Sequence, residues 1–170
     1  MSAAPHQETS ALDIDVVVES PLWDAQPQAE QIIHDAIAVA AASISETGGE
    51  LAVMLTDDAA IQVLNRDWRG LDKPTNVLSF PAADTGPDDA PLHLGDIAIA
   101  YETTAREAGE EDKPFAHHLS HLAVHGFLHL VGYDHEDDDE ADAMEATEVS
   151  ILARLGIPDP YRARDMAAGR

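Results

Sequence analysis

The stretch HLAVHGFLHLVGYDH, His121 to His135, restricts what this chain can fold into more than any other part of it. His125 and His129 are four apart, so on an α-helix they lie on one face with Cβ atoms about 5–6 Å apart. Two imidazoles in that arrangement can share a metal ion. Gly132 stands where a helix ends by placing one residue at positive φ, and the reversed chain then carries His135 back towards the same ion. Three neutral imidazoles with a fourth position open form the donor set of a catalytic zinc site, not of a closed structural one.

The spacing H-x-x-x-H-x-x-G-x-x-H is also that of one class of zinc proteases, which carry Glu directly after the first histidine as general base. Here that residue is Gly126. The metal site stands and peptide hydrolysis is disfavoured. His117 and His121 continue the step of four towards the N-terminus, and what selects His125 and His129 is the glycine turn with His135 beyond it. His117, His118 and His121 read as structural, with a supporting or substrate contact left open for one of them. Asp134 and the acids at 136 to 140 read as caps and solvated surface, Asp134 alone being a candidate to orient a ligand histidine.

The rest of the chain supplies a frame for this helix. Asp13 to Glu19 is β-branched and reads as a strand, as does Glu50 to Thr56. Between them, Ile32, Ile33, Ala36, Ile37 and Ala40 recur at helical spacing. A second helix follows Asp57 or Asp58 as cap, with Ile61, Leu64 and Trp68 expected on its buried side and an end near Gly70. TNVLSF, held between Pro74 and Pro81, reads as an edge strand. A Pro-, Gly- and Asp-rich loop leads to the strand Asp96 to Ala100, which can pair with it antiparallel.

Helical patterns then cover Tyr101 to Glu110, Phe115 to Val131 and a last segment from Glu136, whose inner side is expected at Met144, Val149, Ile151 and Leu152. The helix Phe115 to Val131 is apolar around much of its circumference and should be central and buried. The expected fold is α+β: one domain, a small mixed four-stranded sheet packed with about five helices, and the metal site at the end of the buried central helix. Flexible tails are expected at 1–11 and 161–170 around a domain spanning 12–160.

A chain of 170 residues supports one good core. It has no cysteine, which removes disulfides and thiolate ligands together and suits the cytosol. No stretch approaches the ~18 apolar residues of a membrane span, and no basic leader precedes an apolar run. The formal charge of −24, from 33 acidic and 9 basic side chains, opposes general nucleic-acid affinity. The cations are not evenly spread, however: Arg66, Arg69 and Lys73 fall together, and Arg154, Arg162, Arg164 and Arg170 crowd the end. A small basic window on an acidic body is compatible with that distribution.

Arg69 lies where the second helix stops. A guanidinium there either faces solvent or holds a phosphate through two parallel hydrogen bonds, and spacing leaves both open. Asn76, Ser79 and Asp96 are equally ambiguous, since polar residues at strand ends often only satisfy backbone groups.

Three blocks in order, NRDWRGLDKPTNVLSFP (65 to 81), LGDIAIA (94 to 100) and HGFLHLVGYDH (125 to 135), resemble the YbeY family of bacterial ribosomal-RNA maturation factors. These are single-domain, metal-dependent endoribonucleases. The likeness spans about Leu51 to Leu155. It implies a small mixed sheet with helices around it and a metal in a cleft, with His125, His129 and His135 as ligands of one Zn²⁺, although three imidazoles also accept nickel, cobalt or copper. It also implies catalytic roles for Arg69 and His125, and a single-strand-type endoribonuclease of ribosomal RNA processing and quality control in the cytoplasm. Ribosomal RNA and the small ribosomal subunit are the implied partners. The general base is left unassigned among metal-held water, the RNA 2′-hydroxyl and a histidine of the 117 to 121 group. A non-catalytic, metal-stapled assembly factor and a metal-dependent peptide or amide hydrolase are the competing readings.

Overall fold

The β-branched runs pair first with each other. In the computed structural model, which describes residues 12–45, 48–82 and 93–161, strand β1 (Asp13–Val18) runs parallel to β2 (Glu50–Thr56), with Ile14 opposite Leu51 and Val16 opposite Val53. Of the expected tails at 1–11 and 161–170, residues 1–11 and 162–170, with Arg162, Arg164 and Arg170, lie outside the described residues, as does most of the loop before Leu94, whereas Tyr161 is described and bonds to Glu148. β2 is parallel to β4 (His93–Ala100), and β3 (Val77–Pro81) runs antiparallel along the outer side of β4. The order is β1-β2-β4-β3, so the proline-bounded strand is an edge, as its two prolines require.

Parallel neighbours need crossovers, and the helices supply them. Helix α1 (Ala29–Ser43) connects β1 to β2 after a short 3-10 turn (Pro21–Ala25), and α2 (Asp58–Arg69) follows β2. Strand alternation divides the sheet into two faces. Leu51, Val53, Leu55, Ile97 and Ile99 join Ile33, Ile37 and the later helices in the main core. Leu78, Ala98 and Ala100 form a smaller cluster with Ile61 of α2 on the other face.

Helix α4 (Phe115–Leu130) is the central element, packed against α1, α3 (Tyr101–Glu110), α5 (Asp138–Arg154), β3 and β4. It buries Leu119, Leu122, Val124, Phe127 and Leu128, each worth about 1.5–3 kcal/mol. Turning the helix to re-aim its histidines would expose several of these together. The α+β class, the single domain and, among the described residues, the mixed four-stranded sheet and the five α-helices agree with the sequence pattern.

Two expectations need correction. Trp68 is 71% exposed, because the buried position on that face of α2 is taken by Asn65, whose Nδ2 donates to the Lys73 carbonyl at 2.9 Å and ties down the following loop. On α5, Val149 is only half-buried while its neighbour Glu148 is fully buried.

Candidate metal centre

The end of α4 shapes the site. Gly132 has φ +107°, and the Tyr133 amide donates to the Leu128 carbonyl at 2.9 Å while the Gly132 amide donates to that of His129 at 3.2 Å. This pair of bonds closes a helix through a left-handed glycine, as Gly132 foretold. The turn returns His135 to the helix end, where its ring centroid lies 5.0 Å from that of His129 and 6.0 Å from that of His125. One ring nitrogen from each of His125, His129 and His135 lies within 4.8 Å of the others.

Hydrogen bonds decide which nitrogens face inward. His129 Nδ1 donates to the Tyr133 carbonyl at 3.0 Å, and His125 Nδ1 donates to Glu148 Oε2 at 2.5 Å. In the neutral rings both Nε2 atoms therefore carry lone pairs, and they lie 3.2 Å apart. Two lone pairs so placed repel unless a cation lies between them. Burial, together with the neighbouring His125 and His135, also holds His129 below the ordinary imidazole pKa, which favours the neutral form that binds metal. The donor set fits a zinc ion.

Glu148 is the residue that pattern reading missed. It is fully buried, receiving His125 Nδ1 on Oε2, and His121 Nε2 at 2.9 Å and the Tyr161 hydroxyl on Oε1. Burial alone would raise its carboxyl pKa, but the hydrogen bonds from His121 and His125 outweigh it and hold the group at about 2. It is an anion inside the protein, kept there by its donors. A signal was present: Met144, Glu148, Ile151 and Leu152 share the buried face of α5, so a glutamate stood on the apolar stripe. Asp134 does different work, accepting the His135 amide at 2.8 Å and shaping the loop rather than a ring.

Gly126 faces the sheet. A Cβ there would lie 3.0 Å from Ile97 Cγ2 and 3.2 Å from Ser79 Oγ, and Ser79 donates to the Gly126 carbonyl at 3.0 Å. The position where zinc proteases hold their glutamate is here a packing contact between α4 and β3–β4.

The three histidines line a cleft of about 380 Å³ together with Arg69, Val77, Ser79, Tyr133 and Asp134. Arg69, ambiguous by spacing, thus lies in the same cleft as the candidate ligands, and it makes no ion pair among the described residues. A neighbouring cavity of about 630 Å³ shares Val77 and His125 with it and is lined by Glu107, His118, His121 and Tyr161 among others. His118 is tied to Glu107 at 2.8 Å, and Asn76 donates to the same carboxylate at 2.9 Å. Asp96 faces His93 at 3.5 Å. His118 is thus held by Glu107, and His121 is linked to the site through Glu148.

Residues 19–156 match the family described as Endoribonuclease YbeY. Curated proteins of that name are 63% identical over 157 residues in a Bradyrhizobium species (strain BTAi1), covering 89% of this chain and 93% of that one. In Nitrobacter winogradskyi the figure is 64% over 153 residues, covering 86% and 80%. A Thermotoga maritima protein known from its solution structure is 27% identical, with a TM-score of 0.49, covering 82% of this chain and 86% of its own. With the family match spanning most of its length, and relatives at this identity covering nearly all of it, the chain belongs to the YbeY family.

Proposed function

We propose that this chain is a zinc-dependent endoribonuclease of single-stranded RNA, acting in the cytoplasm on ribosomal RNA during maturation and quality control of the small ribosomal subunit. Family membership supports the nuclease class. The observation that carries the zinc-centred reading is the convergence of the His125 and His129 Nε2 lone pairs in the cleft that Arg69 also lines.

His125, His129 and His135 would hold the ion, which when bound supplies Lewis acidity and an open coordination position for phosphodiester hydrolysis. The protein's own groups do the rest. Glu148 and the Tyr133 carbonyl each hold a Nδ1 proton, which would leave Nε2 of His125 and His129 to hold the ion in fixed orientation. Arg69 binds non-bridging oxygens of the scissile phosphate and stabilises the charge that grows on them. Glu148 is no general base, since it is fully buried and both its oxygens are engaged. Peptide hydrolysis finds no support, because Gly126 faces Ile97 and Ser79 and leaves no room for a glutamate. No helix among the described residues is long and apolar enough to cross a membrane.

The test is cleavage of structured ribosomal RNA by zinc-loaded protein beside Arg69→Ala and His125→Ala from the same purification, with zinc content measured on each. Wild type should cut, His125→Ala should lose zinc and activity, and Arg69→Ala should keep zinc and lose activity. Equal cleavage by all three, or none by zinc-loaded wild type, would overturn the reading.

A further inference from the structure

Trp68 and the cations beside it are spent on neither core nor ligand set. An indole buries more apolar surface than almost any side chain when a helix offers it to a core, yet Trp68 is 71% exposed. It stands in the last turn of α2, one residue before Arg69. The ring of Phe80, packed against the Ile61 cluster on the α2 face of edge strand β3, supports it, with centroids 5.8 Å apart at 62°, while Ser79 and Pro81, alternating with Phe80 along the strand, line the histidine cleft.

The surroundings are far less acidic than the molecule as a whole, Arg66, Arg69 and Lys73 standing against Asp67 and Asp72. Arg66, Arg69 and Lys73 are three of only 9 basic side chains on a body of charge −24, and every residue from Arg66 to Pro74 is exposed. Arg66 touches Asp67 at 3.1 Å with both side chains about half exposed, a pairing too weak to withhold it from a phosphate. The segment is held in place all the same, by Gly70 in the left-handed conformation at the helix end and by the Asn65 bond to the Lys73 carbonyl. A fixed, exposed aromatic face on a segment that carries Arg66, Arg69 and Lys73 is complementary to a strand that offers both phosphates and flat rings.

We infer that Trp68 is a stacking platform for an unpaired nucleobase of the RNA strand whose scissile phosphate lies at Arg69, with Arg66 and Lys73 holding the flanking phosphates. This rests on the ribonuclease reading and adds to it a cause for single-strand selectivity. In a duplex each base is already stacked and paired, so its face is not free for the indole; in a loop or single strand it is. The contact is indifferent to base identity, since every base has a π-face.

The two tryptophans make this measurable. Trp23 is buried beneath Tyr101 and Phe115, so quenching of intrinsic fluorescence by added RNA reports Trp68. Zinc-loaded full-length protein titrated with a single-stranded 2′-O-methyl oligoribonucleotide should show saturable quenching, and the same sequence as a duplex should show little. Trp68→Ala should lose the quenching and bind about 5- to 150-fold more weakly, and in cleavage assays should raise KM while kcat holds. Trp68→Phe should restore most of the affinity. No quenching, or unchanged affinity in Trp68→Ala, overturns the platform. Loss of binding to RNA-free ribosomal proteins in a Trp68→Ala variant that still binds RNA normally would overturn it in favour of a protein contact. Cleavage by the same wild-type preparation separates the two ideas: cutting without quenching removes the platform alone, and no cutting removes the nuclease reading as well.

Discussion

Glu148 and His125 are joined between α4 and α5 by a 2.5 Å hydrogen bond from Nδ1 to Oε2 of a carboxylate that is fully buried. The bond sets the tautomer of a candidate ligand from the side opposite the cleft. It also couples that ligand to His121 and Tyr161 through the other oxygen of the same carboxylate. A change at position 148 therefore reaches the metal centre without touching it.

Replacing that charge should be read first in metal affinity. Glu148→Gln keeps the shape and removes the anion, and losing such a partner weakens metal binding by about 10–100-fold. Competition against a chromophoric zinc chelator measures it directly. Zinc should also raise the melting temperature of wild type more than that of the variant, because ligand binding stabilises by RT ln(1 + L/Kd), L being the free zinc concentration, a quantity that is larger for the tighter binder. Equal zinc affinity in the two proteins would show that Glu148 serves packing alone.

Gly126 should resist any side chain. Alanine gains about 1 kcal/mol of helix propensity over glycine, but its Cβ would meet Ile97 at 3.0 Å and Ser79 Oγ at 3.2 Å, and overpacking costs about 1–3 kcal/mol. Gly126→Ala should lower the urea midpoint, and Gly126→Glu should lower it further without creating peptidase activity. A more stable alanine variant would mean that β3 and α4 part easily, contrary to the tight contact seen.

The Glu107–His118 pair should give stability a pH dependence of known sign. Burial would raise the Glu107 pKa, but the hydrogen bonds from His118 and Asn76 outweigh it and hold the group below its ordinary 4.5. A carboxyl with a lowered folded pKa adds stability above its unfolded value and loses it as pH falls through the folded one. The advantage of wild type over Glu107→Gln should thus be complete at pH 7 and should close as the pH drops below 4.5. Urea midpoints of both metal-free proteins at several pH values test this; a gap that stays constant into acid would refute it.

The legible part of this protein was what short-range rules encode. A period of four placed His125 and His129 on one face, Gly132 supplied the positive φ that turns the chain, and the prolines around TNVLSF confined that strand to an edge. Each is decided within a few residues of itself. Element order, sheet type and the three candidate ligands followed from such signals. Only the tertiary structure could decide which side of each element the rest of the chain would cover. Trp68 carries the pattern of a buried residue, yet Asn65 takes the inner position on α2, and the indole is left to solvent beside Phe80. Glu148 sits among acids that are mostly surface and is the one drawn inside, because α5 packs that face onto α4, where two imidazoles can donate to it. Gly126 reads in sequence as a missing general base, and in the fold it is the contact that lets the helix meet the sheet. Periodicity tells which residues share a face; burial and partnership depend on what that face meets, and that is fixed by contacts between segments far apart in the chain.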